Sequence, residues 1–182
     1  DTFVYARIGG MVDFTSGIDA VVSGRVKGID LQGLNYATKD IRGSFNLNAK
    51  FKTDSISTQA STEIKEILFV KEGERFPLDP LKASFYTGLD STTAMIEGGF
   101  IQLHSVSNRR LDSLSSVIRD FLARGENESI LDKEAYWKAT FQTSDLEDIG
   151  LLFLPDLKEF KPSSAEMNFS ASDNELVATA MF

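Results

Sequence analysis

The sequence predicts a mainly β protein: a long curved antiparallel sheet with one amphipathic helix and one short helix. Three observations support this fold class. The stretch Ile41–Phe51 alternates between apolar and polar residues without exception. Shorter stretches of similar alternation follow one another along the chain, separated by short turns. Only two segments replace this period of two with helical spacing. Sequential antiparallel strands are therefore the expected topology.

The central predicted strand has one apolar side and one polar side. Its apolar positions are Ile41, Gly43, Phe45, Leu47, Ala49 and Phe51, and its polar positions are Arg42, Ser44, Asn46, Asn48 and Lys50. Successive strand side chains point to opposite faces of a sheet, so the two sets lie on different faces. A strand of this length spans roughly 35 Å, about twice the usual value. The functional question is what covers the apolar side.

The other strands are predicted wherever alternation recurs between turn signals. Gly9-Gly10 and Gly98-Gly99 read as bends or bulges, and Gly24 and Gly28 mark a curved or closely approached backbone. Phe76–Pro80 is excluded from the centre of a sheet, because its two prolines lack a backbone N–H. The predicted ranges are Thr2–Ile8, Met11–Phe14, Ile18–Gly28, Ile56–Ile64 with Ile67–Val70, Leu81–Thr87, Thr92–Ser105, Tyr136–Thr143, Ala165–Ser172 and Glu175–Phe182.

Two segments are predicted as helices. Asn108–Arg124 carries apolar residues at helical spacing and ends before Gly125, which is typical of a helix stop. Asp145–Leu154 follows a capping-box sequence that begins at Ser144, and it ends before Pro155. A helical half-turn at Ile29–Leu34 is expected to place Leu31 and Leu34 under the edge of the sheet.

Composition and charge narrow the class of protein. The chain has 182 residues, enough for a single β-rich domain with a core. Its 27 acidic and 19 basic residues argue against nucleic-acid binding. Without cysteine it has no disulfide or thiol chemistry, and no apolar run approaches the length of a membrane span. Both ends read as strand and the chain begins without Met, so we expect a segment of a longer chain.

The sequence offers little for catalysis. His104 is the only histidine, and neither a nucleophile elbow nor a second metal-binding His or Cys accompanies it. Carboxylates could pair as acid and base, but 27 of them make chance pairs common; the candidates are Glu63, Asp79, Asp90 and Glu97. We therefore predict a non-enzyme with no catalytic residue, no metal and no cofactor.

The apolar side of the predicted sheet has two interpretations. In the first, the 14 phenylalanines fill a closed β-sandwich or barrel, with the Asn108–Arg124 helix as a lid, and the domain is a structural or protein-interaction module. In the second, the apolar side stays partly open and holds a ligand. The predicted lining of that groove is Ile18, Val22, Phe45, Leu47, Ala49, Phe51, Phe85 and Phe100.

Four stretches resemble a known family. They are the sequence VSGRVKGIDL from Val22, the sequence DIRGSFNLNAKFKTDS from Asp40, the sequence LDPLKASFY from Leu78, and Asp145–Leu157 with its FLPDL. In these four stretches the chain resembles an internal segment of the AsmA-like envelope proteins of the TamB type (translocation and assembly module), in the form found in Bacteroidetes. That family repeats long amphipathic strands with short helical interruptions.

The resemblance carries expectations about function. It implies a taco-shaped sheet in a parent chain that is anchored in the inner membrane and crosses the periplasm of the bacterial cell envelope. The apolar face is expected to bind or conduct phospholipid or other acyl chains, or to assist the assembly of an outer-membrane barrel protein. No catalytic residues come with the family. The Asn108–Arg124 helix departs from a plain taco and could cap the groove.

Overall fold

The computed structural model describes residues 3–112, 136–144, 164–172 and 176–181. These residues form eleven strands, which we number in chain order. The strands are β1 (Val4–Asp13), β2 (Ile18–Asp30), β3 (Ile41–Thr53), β4 (Thr58–Lys71), β5 (Glu74–Leu78), β6 (Leu81–Thr87), β7 (Thr92–Glu97), β8 (Ile101–Ser107), β9 (Tyr136–Ser144), β10 (Ser164–Ser172) and β11 (Leu176–Met181).

All eleven described strands belong to one antiparallel sheet. Its order is β1-β2-β3-β4-β6-β7-β8-β9-β10-β11, and β5 pairs with β4 beside this path. Each strand on the path therefore pairs with its neighbours in sequence, apart from the step over β5. The sheet is open, with β1 and β11 at opposite edges. The prediction of one large antiparallel sheet is confirmed, whereas a closed sandwich or barrel is wrong for the part of the chain that the structure describes.

Strand β4 has different partners on its two halves. Residues Thr58–Ile64 pair with β6, and Ile67–Lys71 pair with β5. Between the two halves Glu66 has a left-handed backbone with φ of 52°, and the register to β3 shifts there by one residue. Strand β5 contains Pro77 and pairs only with β4, as expected of a segment that lacks a donor. The prediction that Phe76–Pro80 is not central is therefore confirmed.

Two glycine pairs behave differently from the prediction. Gly9 and Gly10 do not bend the chain but lie inside the continuous strand β1. A Cβ at Gly10 would meet the Val21 backbone oxygen at 2.6 Å, so close approach of β2 explains this glycine. Gly98 and Gly99 do not form a bulge in one long strand Thr92–Ser105. They belong to a turn that separates β7 from β8, with the Gly98 N–H donating to the Ile101 oxygen at 2.9 Å.

The predicted helices are not among the described elements. Asp145–Leu154 lies outside the described residues, and so does Asn108–Arg124 beyond Asp112. The predicted half-turn Ile29–Leu34 is present only in part, because Ile29 and Asp30 still belong to β2. After them the chain turns: the Leu34 N–H donates to the Asp30 oxygen at 3.1 Å, and the Tyr36 N–H donates to the Leu31 oxygen at 2.9 Å.

A small core lies where the β2–β3 connection folds over one end of the sheet. Ile41 and Phe76 are its buried residues, at 3% and 6% exposed, and Leu31, Ala37 and Phe69 pack against them. Elsewhere in the described residues Val26 and Ile67 are the other buried apolar side chains. The sheet therefore buries little of its apolar surface, and its packing is concentrated at this end.

We expect Ile41→Ala to lower the free energy of unfolding by about 2–4 kcal/mol, because it removes the most buried side chain of the core cluster. The matched control is Leu89→Ala, since Leu89 is 65% exposed and should change stability by less than about 0.5 kcal/mol. Urea unfolding of both variants measures the difference. Equal stabilities would show that the cluster does not hold the sheet together.

The β3–β4 turn contains a carboxylate that caps it. The Ile56 and Ser57 N–H groups both donate to Asp54 Oδ1 at 2.8 Å, and these bonds lower the pKa of Asp54 from its ordinary 3.8. The ionised form thus stabilises the fold above the ordinary pKa, and this contribution is lost as pH falls through the lowered pKa. We expect an NMR titration of the Asp54 carboxyl to show a midpoint below 3.8. A midpoint at or above that value would contradict the capping role.

Candidate functional site

The strand register aligns the apolar positions of neighbouring strands into one surface, which we call the apolar face. Leu47 lies opposite Gly24 on β2 and Ile64 on β4. In the same way, every second residue of each strand lies opposite a residue of the next strand that faces the same side of the sheet. From β1 to β9 the apolar face comprises Ala6, Ile8, Gly10, Val12, Ile18, Ala20, Val22, Gly24, Val26, Phe45, Leu47, Ala49, Phe51, Thr53, Thr58, Ala60, Thr62, Ile64, Leu81, Ala83, Phe85, Thr87, Thr92, Ala94, Ile96, Ile101, Leu103, Ser105, Ser107, Trp137, Ala139, Phe141 and Thr143. None of these residues is charged.

The opposite side, which we call the polar face, carries the charges of the sheet. Between β2 and β9 it comprises Asp19, Val21, Ser23, Arg25, Asn46, Asn48, Lys50, Lys52, Gln59, Ser61, Glu63, Lys65, Lys82, Ser84, Tyr86, Thr93, Met95, Glu97, Gln102, His104, Val106, Tyr136, Lys138, Thr140, Gln142 and Ser144. Its ion pairs are solvent-exposed, as between Arg25 and Glu66 at 3.4 Å, and so contribute little to stability.

Much of the apolar face remains accessible to solvent. Ile8 is 64% exposed, Ile18 38% and Phe51 39%, and the central residues Leu47 and Phe85 are only partly buried. A packed core would leave side chains of this size almost fully buried. Within the described part of the chain, the apolar face is therefore an uncharged surface that remains partly exposed to solvent.

A row of hydroxyl side chains crosses one end of the apolar face. Thr53 and Thr58 lie directly opposite each other with their Oγ1 atoms 2.8 Å apart, and Thr87 and Thr92 repeat the arrangement at 2.9 Å. Ser107 continues the row on β8, where its hydroxyl donates to the Tyr136 oxygen at 2.7 Å. These hydroxyls satisfy one another or the backbone, so the row marks an end of the apolar surface without leaving free donors there.

The chain crosses the apolar face at this row of hydroxyls. After β8 the Arg109 oxygen accepts from Thr92 Oγ1 at 2.8 Å, and the Leu111 N–H donates to Thr87 Oγ1 at 3.1 Å. The Tyr136 N–H donates to Asn108 Oδ1 at 2.8 Å. Arg109 and Leu111 thus lie on the apolar side of the sheet, and the start of β9 lies beside Asn108.

Seven of the eight predicted lining residues share the apolar face. Strand β3 contributes Phe45, Leu47, Ala49 and Phe51, and the register brings Ile18, Val22 and Phe85 to the same side. Phe100 lies in the β7–β8 turn, where its backbone oxygen accepts from the Ser144 N–H at 3.2 Å. The same face also includes residues on β4 and on β6–β9 that the prediction did not name, among them Ile64, Leu81, Ile96, Leu103, Trp137 and Phe141. Their alternation within each strand was the signal that could have identified them.

Three surface depressions among the described residues follow mainly the polar face. One of them, of about 590 Å³, is lined by side chains such as Lys82, Glu97, Gln102 and His104. Two more, of about 320 and 390 Å³, continue it past Lys50. They are open hollows between rows of hydrated side chains, with cations and carboxylates interspersed. Such hollows suit water better than an apolar ligand.

The catalytic candidates are not assembled into a site. His104 lies on the polar face opposite Met95 and Thr140, and among the described residues no hydroxyl or carboxylate is hydrogen-bonded to it. Glu63 and Glu97 flank Lys82 on neighbouring strands, whereas Asp79 and Asp90 lie in turns. No group of three His, Cys, Asp or Glu side chains in the described ranges is placed to hold a metal ion.

Comparisons with known proteins give no relative from which to infer a role. No protein-family model matches the chain, and searches of curated proteins and of solved structures return no match either. Within the described residues, no helix combines the length and apolarity needed to cross a bilayer. The apolar face is therefore the feature of the molecule from which we infer a function.

Proposed function

We propose that this chain is a non-enzymatic segment of a periplasm-spanning envelope protein whose apolar face binds or conducts lipid acyl chains. The observation that carries the proposal is the uncharged, partly exposed surface formed by one side of an open sheet. Phospholipid is the expected source of the acyl chains. The location in the periplasm, with an inner-membrane anchor in the parent chain, rests on the resemblance to TamB-type proteins.

Hydrocarbon gains more from the apolar face than from the hollows of the polar face. Each methylene removed from water is worth about 0.8 kcal/mol, so eight methylenes laid on this surface gain roughly 6 kcal/mol before the cost of association. The polar face would instead have to give up water around Lys50, Lys82 and Glu97, which costs free energy. This difference favours the apolar face even though the three depressions described above lie mainly on the polar side.

A curved, taco-like sheet is part of the proposal. Two register shifts support it, one in β2 between Val26 and Ile29 and one in β4 near Glu66. An extra residue of this kind bends its strand and increases the local twist. Curvature toward the apolar face would let several strands contact one acyl chain.

Assistance in assembling an outer-membrane barrel protein is the second candidate function. The apolar face supports this role too, because the lipid-facing side of an unassembled membrane strand also needs an apolar cover. The two functions differ in the occupant of the face, so identification of what co-purifies with the protein separates them.

We expect Leu47→Asp to abolish lipid binding while the sheet stays folded, because a carboxylate in the centre of an open apolar face repels hydrocarbon without being buried in a core. The matched control is Asn48→Asp, which adds the same charge to the polar face of the same strand and should leave lipid binding unchanged. Native mass spectrometry after purification measures bound phospholipid, and circular dichroism checks the fold. An unfolded Leu47→Asp protein would indicate a packed core, and a folded wild type without lipid would favour the assembly role.

The fluorescence of the only tryptophan provides a second measurement of binding to the same face. Trp137 belongs to the apolar face, and its indole Nε1–H donates to Ser105 Oγ at 2.8 Å. We expect a fatty acid brominated along its chain to quench Trp137 fluorescence in a saturable manner, since bromine quenches only at contact distance. The same concentration of unbrominated fatty acid is the control. Quenching that rises without saturation would indicate collision in solution instead of binding.

A further inference from the structure

Three hairpin turns of the described chain lie side by side at one end of the sheet. The register places five residues in a row across the strands, namely Ile18, Thr53, Thr58, Thr87 and Thr92. The β1–β2, β3–β4 and β6–β7 turns, which are residues 14–17, 54–57 and 88–91, lie just beyond this row. Neighbouring turns are two strands apart, so the three turns together span roughly 20 Å.

Each of these turns exposes one large apolar side chain. They are Phe14, Ile56 and Leu89, at 72%, 55% and 65% exposed, and we call them the turn tips. A single exposed apolar residue is common on proteins. Turns, however, favour Gly, Pro, Asn, Asp and Ser, so an exposed apolar residue in each of three neighbouring turns is unusual. The repetition indicates that this end of the sheet makes a contact.

The described turns at the opposite end of the sheet are different. The β4–β5 turn consists of Glu72 and Gly73, and the β7–β8 turn has two glycines followed by the partly buried Phe100. In the β2–β3 connection, Tyr36 is the one large apolar residue among the exposed side chains. A row of exposed apolar residues is therefore a property of one end of the described sheet and not of its turns in general.

Hydrogen bonds within the turns hold the backbone beside the turn tips. Asp13 and Asp54 each accept on Oδ1 a hydrogen bond of 2.8 Å from the N–H two residues later. In the third turn the Gly88 N–H donates to the Ser91 oxygen at 2.8 Å. An N–H group that has an internal partner costs less to bring close to hydrocarbon than an unpaired one. These turns can therefore approach an apolar medium without leaving those donors unsatisfied.

The spacing of the turn tips indicates what kind of partner they fit. A stable protein–protein contact buries a continuous area of about 800 Å² on each partner. Three side chains on turns roughly 10 Å apart, with Ser16 and Ser55 among the residues between them, do not make such an area. A lipid bilayer needs no continuous area, because each apolar side chain enters it separately while hydroxyl groups stay among the headgroups.

The charge at this end indicates which bilayer surface is suitable. The turns and their flanking residues, 13–18, 53–58 and 87–92, contain Asp13, Asp54 and Asp90 but neither lysine nor arginine. An anionic lipid surface attracts basic residues and repels carboxylates. Zwitterionic headgroups such as phosphatidylcholine do not repel carboxylates in this way. The turn tips therefore fit an uncharged bilayer surface better than an anionic one.

We propose that the turn tips dock this end of the sheet on a zwitterionic lipid bilayer, with the side chains of Phe14, Ile56 and Leu89 inserted just below the headgroups. The apolar face ends at the row of hydroxyl side chains beside the same turns. Docking therefore brings that end of the apolar face to the bilayer surface. The turn tips act without an occupant on the apolar face, so this proposal goes beyond the proposed function and does not rest on it.

Flotation of the purified chain with phosphatidylcholine vesicles tests the proposal. We expect the wild type to float with the vesicles, and Phe14→Ser, Ile56→Ser and Leu89→Ser each to weaken partitioning about fivefold or more, because each removes apolar surface from the contact. The triple variant should stay in solution. Circular dichroism should show an unchanged fold, since all three side chains are exposed. The matched control is Tyr36→Ser, which removes an exposed apolar side chain at the opposite end and should partition like the wild type.

Two comparisons separate docking by the turn tips from other ways of binding a vesicle. Partial replacement of phosphatidylcholine by phosphatidylglycerol should weaken partitioning, because it adds negative charge beside the turn carboxylates. Leu47→Asp, which is expected to abolish acyl-chain binding on the apolar face, should still float, and the triple variant should still co-purify with acyl chains. Failure of the proposed function would thus be seen apart from failure of docking.

Several outcomes would overturn the docking proposal. Wild-type protein that stays in solution with the vesicles is one of them, and partitioning that requires phosphatidylglycerol is another. Partitioning that the triple variant retains and Leu47→Asp loses would assign vesicle binding to the apolar face. Self-association that depends on the turn tips, in protein that does not float, would assign them to a second copy of the chain.

Discussion

The sheet depends on a strand register that keeps the apolar side chains of neighbouring strands on the same face. From Leu47 to Thr53, each residue of β3 on the apolar face lies opposite a residue of β2 and a residue of β4 that are also apolar, small or hydroxyl-bearing. A slip of one residue would exchange the faces of a strand and bring Lys50 or Asn48 among the phenylalanines. The extra residues near Val26 and Glu66 preserve the parity, because the alternation of the sequence shifts at the same points.

This arrangement separates the stability of the sheet from the burial of its apolar face. The packed cluster around Ile41 and Phe76 holds one end, and the hydroxyl row with its backbone contacts holds the other. Between them the strands are joined by backbone hydrogen bonds and cross-strand pairs, each worth a fraction of a kcal/mol. Among the described residues the middle of the face is therefore only partly buried, which is compatible with the occupant that we propose.

The sequence predicted the fold well where the period of two was strong. The bounds of β6 agree with the prediction, and β3 extends it by two residues because Lys52 and Thr53 keep the alternation. The errors at Gly9-Gly10 and Gly98-Gly99 have a common cause. Glycine marks bends, turns and close approach alike, and only the position of a neighbouring strand decides between them.

The lining of the face was harder to predict than the strands. The prediction selected the central strand and the phenylalanines, which identified one side of the sheet correctly but included Phe100. A phenylalanine near a hairpin belongs either to a strand or to the turn, depending on where the hairpin closes. The phenylalanine side chain does not determine that position. Smaller residues such as Ala60 and Ala83 contribute to the same face through register alone. They give no signal until the strands are paired.

The chemistry of the apolar face also limits what can cover it. The Thr53 hydroxyl is hydrogen-bonded to that of Thr58, and the Thr87 hydroxyl to that of Thr92. Ser105 Oγ accepts a hydrogen bond from the Trp137 indole N–H. An occupant that brought backbone N–H or C=O groups to the middle of the face would find few partners there, and leaving such groups unpaired costs more than apolar contact returns. A hydrocarbon chain brings no polar groups, so it loses nothing on an uncharged face. By this argument, the proposed hydrocarbon occupant suits the apolar face better than a peptide whose backbone N–H and C=O groups would stay unpaired there.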